Sequence, residues 1–241
     1  MEAVWNWIVQ TVTGFGDDFY LNFVKEDRWK YLTNGLLTTL EITVLAVVVG
    51  IVLGFLVAIV RTTHDHTGKL KLLNAVCKLY LTVIRGTPVM VQVLLIYFGI
   101  FASVNVPKLL VAVLAFGLNS GAYVAEIFRS GIMAVDVGQS EAGRSLGLNY
   151  AQTTWNIVMP QALKNVLPAL GNELIVLLKE TSISGYIAMD DLTKGGNIIR
   201  SQTYDAFLPL IAVAAIYLAV VLILQAGVNR LERRLRKSDR R

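Results

Sequence analysis

The 241-residue chain is 55% apolar and only 16% charged, with a mean hydropathy of +0.58. Soluble domains carry about a quarter charged residues, so a bilayer explains the imbalance better than a large core. The net charge of +5 does not mark a nucleic-acid binder, because the basic residues sit between apolar runs and in the C-terminal tail, where topology selection puts them. Cys77 is the sole cysteine, which excludes an intrachain disulfide, and with only His64 and His66 nearby a zinc site lacks ligands.

Met1 to Gly16 has no basic stretch followed by an apolar run and a small-residue cleavage site, so it does not read as a signal peptide. Trp5, Trp7, Ile8 and Val9 point to a short interfacial helix over Ala3 to Val12, or else to an irregular terminus. Five segments then approach the roughly 20 apolar residues that a spanning helix needs. They run from about Leu36 to Val60, Leu79 to Phe101, Leu109 to Val135, Val166 to Ile183 and Ala206 to Val228. The fourth is the most polar, with Asn172, Glu173, Lys179 and Glu180 inside it.

Basic residues set the orientation. Arg61, Lys69, Lys71 and Lys78 follow the first span, Arg144 and Lys164 lie between the third and fourth, and seven basic residues crowd the tail. With five spans those regions share one side, which places the N-terminus outside and the C-terminus in the cytoplasm. The chain divides into an extracytoplasmic segment (1–30), a membrane domain (31–230) and a basic tail (231–241).

The loop between the third and fourth spans is longer than a connector requires. Glu141, Ala142, Arg144, Ser145 and Leu146 suit a helical turn that Gly147 ends. Trp155, Ile157, Val158 and Met159 then offer apolar surface to a partner, and Pro160 permits a bend into the fourth span. Here the chain resembles a family. Permeases of ATP-binding-cassette importers carry a cytoplasmic Glu-Ala-Ala, three residues, Gly, nine residues, Ile, one residue, Leu-Pro. This chain has Glu141-Ala142-Gly143, then Gly147, Ile157 and Met159-Pro160 at the same spacing, departing only at Gly143 and Met159. Ile84-Arg85-Gly86-Thr87-Pro88, the run Ala122 to Gly131 and Leu178-Lys179-Glu180-Thr181-Ser182 look like the polar amino acid permeases within that family.

The resemblance implies an all-α, polytopic type I importer permease with five transmembrane helices and a cytoplasmic coupling helix, in a bacterial-type inner membrane. It implies two ATP-binding subunits, an extracytoplasmic solute-binding protein, an amino acid substrate and a second permease, a homodimer slightly ahead of a heterodimer. ATP and magnesium would be handled by the partner, since the chain has no G-x-x-x-x-G-K-[ST] loop and binds no cofactor itself. Carried over, Gln139, Glu141, Ala142, Arg144, Gly147, Ile157 and Pro160 are the residues that couple to the ATPase.

Ionisable residues at membrane depth default to functional roles. Arg85 lies about 10 Å in from the end of the second span, at a depth comparable to Glu126 in the third. The two are expected to meet or to line one polar cavity, as a substrate path or as a structural ion pair. Gly86-Thr87-Pro88 should interrupt its helix, freeing backbone groups toward a substrate. With Thr87, the residues Asn119, Ser120 and Tyr123 suit the groups of an amino acid, and Glu126 its ammonium; Asn119 and Ser120 also suit bonding between helices. Glu41 is placed to snorkel, and Gly50-x-x-x-Gly54 permits close helix approach. Lys179 and Glu180 lie ahead of an acidic loop at Asp190 and Asp191, as a gate, a contact for a binding protein or a solvated rim, and His64 and His66 belong in a solvated turn.

The alternative is an ion-coupled secondary transporter or channel, but no repeated halves are visible. An enzyme is disfavoured because the chain has no Ser/His/Asp set and no H-E-x-x-H.

Overall fold

A computed structural model describes residues 14–238, and every regular element among them is a helix. The helix expected over Ala3 to Val12 lies outside the described residues, as do Arg240 and Arg241.

Helix α1 (Trp29–Thr67) is longer than the apolar run inside it, so at 1.5 Å per residue it projects beyond a roughly 30 Å hydrocarbon core. Gly68 ends it in the left-handed conformation (φ 66°), donating to the carbonyl of His64. His64 and His66 therefore belong to its last turn, not to a turn beyond it.

The chain bends by 111° between α2 (Lys71–Gly86) and α3 (Val89–Leu95, continued by a π-helical turn Ile96–Ile100). Pro88 has no N–H and pushes Thr87 into an extended conformation (φ −124°, ψ 150°), which ends α2. The expected interruption is there, and it divides the segment from Leu79 to Phe101 between two helices.

α4 (Lys108–Met133) is the central helix, with most of its apolar stretch buried. It makes its largest contact with α1. Glycines let the two backbones approach: a Cβ at Gly54 would lie 2.7 Å from the Ala125 nitrogen, and one at Gly117 would lie 3.2 Å from the Ala46 carbonyl oxygen. Gly50 meets Ser120, and Gly121 meets Leu53 and Tyr80. One G-x-x-x-G in sequence is a weak signal; glycines from two helices facing each other make a seam. Ile42, Ala46, Val111 and Phe116 fill one end of it, with Val93, Leu177 and Ile187 closing over them.

After α5 (Val137–Ser145) and the short α6 (Tyr150–Thr153), a π-helical stretch Thr154–Val158 leads into α7 (Met159–Glu180). The widened turn, with Met159 N–H donating to Thr154, takes up Pro160 without a break. A 3₁₀ stretch, Thr181–Ile187, leads to α8 (Leu192–Thr203) and then α9 (Phe207–Ser238).

By length and composition three helices among the described residues are able to cross a membrane: α1, α4 and α9. The bent α2–α3 pair makes a fourth if it counts as one span. α7 does not qualify, because Lys164, Asn165, Asn172, Glu173, Lys179 and Glu180 dilute its apolar run, so the five-span count is not reached on this criterion. The apolar stretch expected to end at Val228 runs on as helix through the basic residues to Ser238.

Candidate translocation path and coupling surface

The loop from Val137 to Pro160 is a helical hairpin whose turn chemistry is complete. Asp136 caps α5 by accepting from Gly138 N–H at 2.6 Å. At the other end Leu148 N–H reaches Gly143 O (3.2 Å) and Gly147 N–H reaches Arg144 O (2.9 Å), the paired bonds of a Schellman motif. Gly147 sits at its left-handed position (φ 85°), which explains glycine there. Asn149 and Gln152 then form a capping box that starts α6.

Gly143 is the buried residue of α5, and a Cβ there would lie 2.8 Å from Thr153 Cγ2 and 2.9 Å from Ile157 Cδ1. The departure from alanine in the motif thus goes with tight packing of α5 on the stretch that carries Ile157. Glu141, Ala142, Arg144 and Pro160 stay exposed, with Leu146 81% exposed beside them. Gln139 accepts from Gln161 Nε2 at 3.3 Å, tying the two arms together.

The six residues expected along the substrate path separate into two groups. Arg85, Tyr123 and Glu126 are partly exposed and adjacent: Arg85 Nη1 lies 3.6 Å from Glu126 Oε2, and its guanidinium lies 5.7 Å from the Tyr123 ring centre. The approach of Arg85 to Glu126 is the one expected from sequence. Arg129 extends it, at 3.5 Å from Glu126 and 3.5 Å from Asp65, so two acids and two bases link α1, α2 and α4.

Thr87, Asn119 and Ser120 sit elsewhere. Gln92, one turn into α3, donates to Ile84 O, Thr87 O and Thr87 Oγ1 at 2.7–2.9 Å, taking up carbonyls that the broken helix leaves open. Its own oxygen accepts from Asn119 Nδ2 at 2.9 Å, while Asn119 Oδ1 is buried without a partner. Ser120 donates to Glu173 Oε1 at 2.7 Å. Asn119 and Ser120 therefore bond between helices, the plainer of the two roles open to them.

Gln92 and Glu173 carry this arrangement and were not singled out from sequence. A buried acid inside an apolar run is the signal that marks Glu173. In sequence it reads only as a reason to doubt the span. Gln92 lies in the run Val89 to Leu95, where one amide looks incidental until the helix break beside it is seen.

The two acids of the loop after α7 differ, and Asp191 is the enclosed one. It is fully buried ahead of α8, accepting from Ser184 Oγ (2.7 Å) and from the N–H groups of Gly185 (2.6 Å) and Lys194 (2.7 Å). Burial pushes its carboxyl above the ordinary aspartate value against the pull of those bonds. Asp190 stays exposed and pairs with Lys194 at 2.7 Å. A cavity of about 320 Å³ opens here, lined by Ser182, Tyr186, Asp191, Thr193, Lys194 and Asn197 among others.

The family model described as "Binding-protein-dependent transport system inner membrane component" matches residues 50–237. The glutamine transport system permease protein of Escherichia coli K12 is 37% identical over 208 residues, covering 85% of this chain and 93% of that one. The arginine transport system permease protein of Bacillus subtilis is 35% identical over 211 residues, covering 87% and 94%. Among solved structures, an amino acid ABC transporter crystallised with histidines superposes with a TM-score of 0.79 at 45% identity, covering 85% and 94%. The inward-facing methionine ABC transporter shares the fold at 20% identity, with a TM-score of 0.77 and coverage of 88% and 99%. With a family model spanning the paired glycines, the broken helix and the capped hairpin, this chain belongs to the inner-membrane components of binding-protein-dependent transport systems.

Proposed function

We propose that the chain is the permease subunit of an ATP-driven importer, translocating a polar amino acid that a solute-binding protein delivers. The observation that carries this is the capped hairpin from Asp136 to Pro160, which presents Glu141, Ala142, Arg144 and Leu146 outward on a rigid turn. The relatives that transport glutamine and arginine support the substrate class.

In this reading two partner subunits bind and hydrolyse ATP with magnesium, and a second permease, a homodimer slightly ahead of a heterodimer, completes the path. α1, the α2–α3 pair, α4, α7 and α9 are the five spans. The N-terminus lies outside, and the hairpin and C-terminus lie in the cytoplasm, with 1–30, 31–230 and 231–241 as segment, membrane domain and tail. α7 is able to cross despite its polar residues because Glu173 turns inward to Ser120 instead of toward lipid. Gln139, Glu141, Ala142, Arg144, Gly147, Ile157 and Pro160 form the coupling element. Arg85, Thr87, Asn119, Ser120, Tyr123 and Glu126 line or support the substrate path, and Glu173 joins them.

The test is a mild-detergent pull-down of the tagged chain with mass spectrometry of the bound subunits, with Gly147→Asp alongside. The wild type should retain an ATP-hydrolysing subunit, and the variant should lose it or lose transport-coupled hydrolysis. A chain that purifies alone and still transports overturns the reading in favour of an ion-coupled carrier.

A further inference from the structure

Seven of the 22 basic residues and two of the 17 acidic ones lie at 230–241, which leaves fifteen of each sign in the first 229 residues. The whole net charge of +5 is therefore a property of one end of the chain. α9 carries the first part of that end as an unbroken helix from Phe207 to Ser238. Most of its apolar stretch is unburied within this chain, with Ile211, Leu218, Leu222 and Ile223 exposed, a surface suited to lipid in a spanning helix.

Helical register decides where the arginines emerge. Leu222, Ala226, Arg230 and Arg234 follow one another at four-residue steps, Arg233 flanks them, and all are exposed. The opposite side continues the core-facing surface, with Val228 buried against Gly171. α9 packs on α7 and α8, and the exposed apolar stripe on its other side runs directly into a basic one. Guanidinium groups match phosphate oxygens as paired donors, and polybasic segments just past a span are drawn to anionic lipid.

We propose that Arg230, Arg233 and Arg234 form a binding surface for the headgroups of anionic phospholipids. With the orientation of the proposed function these headgroups are those of the cytoplasmic leaflet; the affinity itself does not rest on that orientation.

The test uses the full transporter assembly in nanodiscs of equal parts phosphatidylglycerol and phosphatidylcholine, with the lipids retained on the protein measured by native mass spectrometry. The wild type should retain phosphatidylglycerol preferentially. The triple variant Arg230→Gln, Arg233→Gln, Arg234→Gln should lose about fivefold of that preference for each arginine removed. The corresponding triple Lys variant, which keeps the charge, should retain most of it, and raised salt should weaken it in the wild type. Equal retention by the wild type and the Gln variant, as from annular lipid only, overturns the proposal. So does loss of the ATP-hydrolysing subunit from the Gln variant in phosphatidylcholine alone, which would put the stripe on a protein partner. Both faces of a disc carry the same lipids, so the outcome does not depend on which side the C-terminus faces. Protease access to a C-terminal tag in sealed vesicles tests that orientation separately.

Discussion

Arg85 and Glu126 meet at 3.6 Å with side chains 43% and 36% exposed, in a chain of charges that continues through Arg129 to Asp65. Pairs this open contribute about 0–1 kcal/mol, so the contact is a weak reason for both residues to be there. Arg85→Gln and Glu126→Gln should each reduce transport strongly while shifting stability by no more than about 1 kcal/mol. In a substrate path the double variant stays inactive; recovery of transport in the double variant would make the pair a structural lock. Asp191 is the opposite case, a buried carboxylate on which Ser184, Gly185 and Lys194 converge. Asp191→Asn leaves one acceptor oxygen for donors that now use two, at an expected cost of about 1–3 kcal/mol in thermal or denaturant unfolding. Because burial raises its native pKa, the native state binds the proton more tightly than the unfolded one. Its contribution to stability is full below the unfolded value and fades as pH rises through the native one, a dependence the Asn variant should lack.

At the scale of elements, glycine has two different uses. Gly54 keeps α1 close to the Ala125 backbone, whereas Gly227 on α9 has nothing within 4 Å of an added Cβ. Gly54→Leu should destabilise by about 1–3 kcal/mol or block assembly, and Gly227→Leu should be nearly silent, as read by thermal unfolding in detergent. Gly147 is required by backbone conformation instead, since no neighbour crowds it and its φ of 85° is what ends α5. The α2–α3 break joins both levels. Pro88 ends α2, Gln92 then takes up the carbonyls of Ile84 and Thr87 that the break exposes, and Asn119 holds the Gln92 amide in place.

For the whole molecule, orientation is open to a direct test. Cys77, the sole native cysteine, is buried, and Leu146 and Tyr204 are 81% and 96% exposed. A maleimide that does not cross the bilayer should label Tyr204→Cys in intact cells and Leu146→Cys only in inverted vesicles; the reverse pattern inverts the proposed topology. Much of this architecture was legible in the sequence because it is local. Apolar runs mark helices, Pro88 marks a break, and a glycine at fixed spacing after Glu141 marks a capped hairpin. The pairing of Arg85 with Glu126 was legible too, since charges at membrane depth seek partners. What tertiary structure alone decided was which faces touch. The four glycines of the α1–α4 seam and the burial of Asp191 depend on neighbours distant in sequence. So do the bonds of Asn119 to Gln92 and of Ser120 to Glu173. A polar residue in an apolar run announces that it needs a partner, but only packing selects the atom that satisfies it.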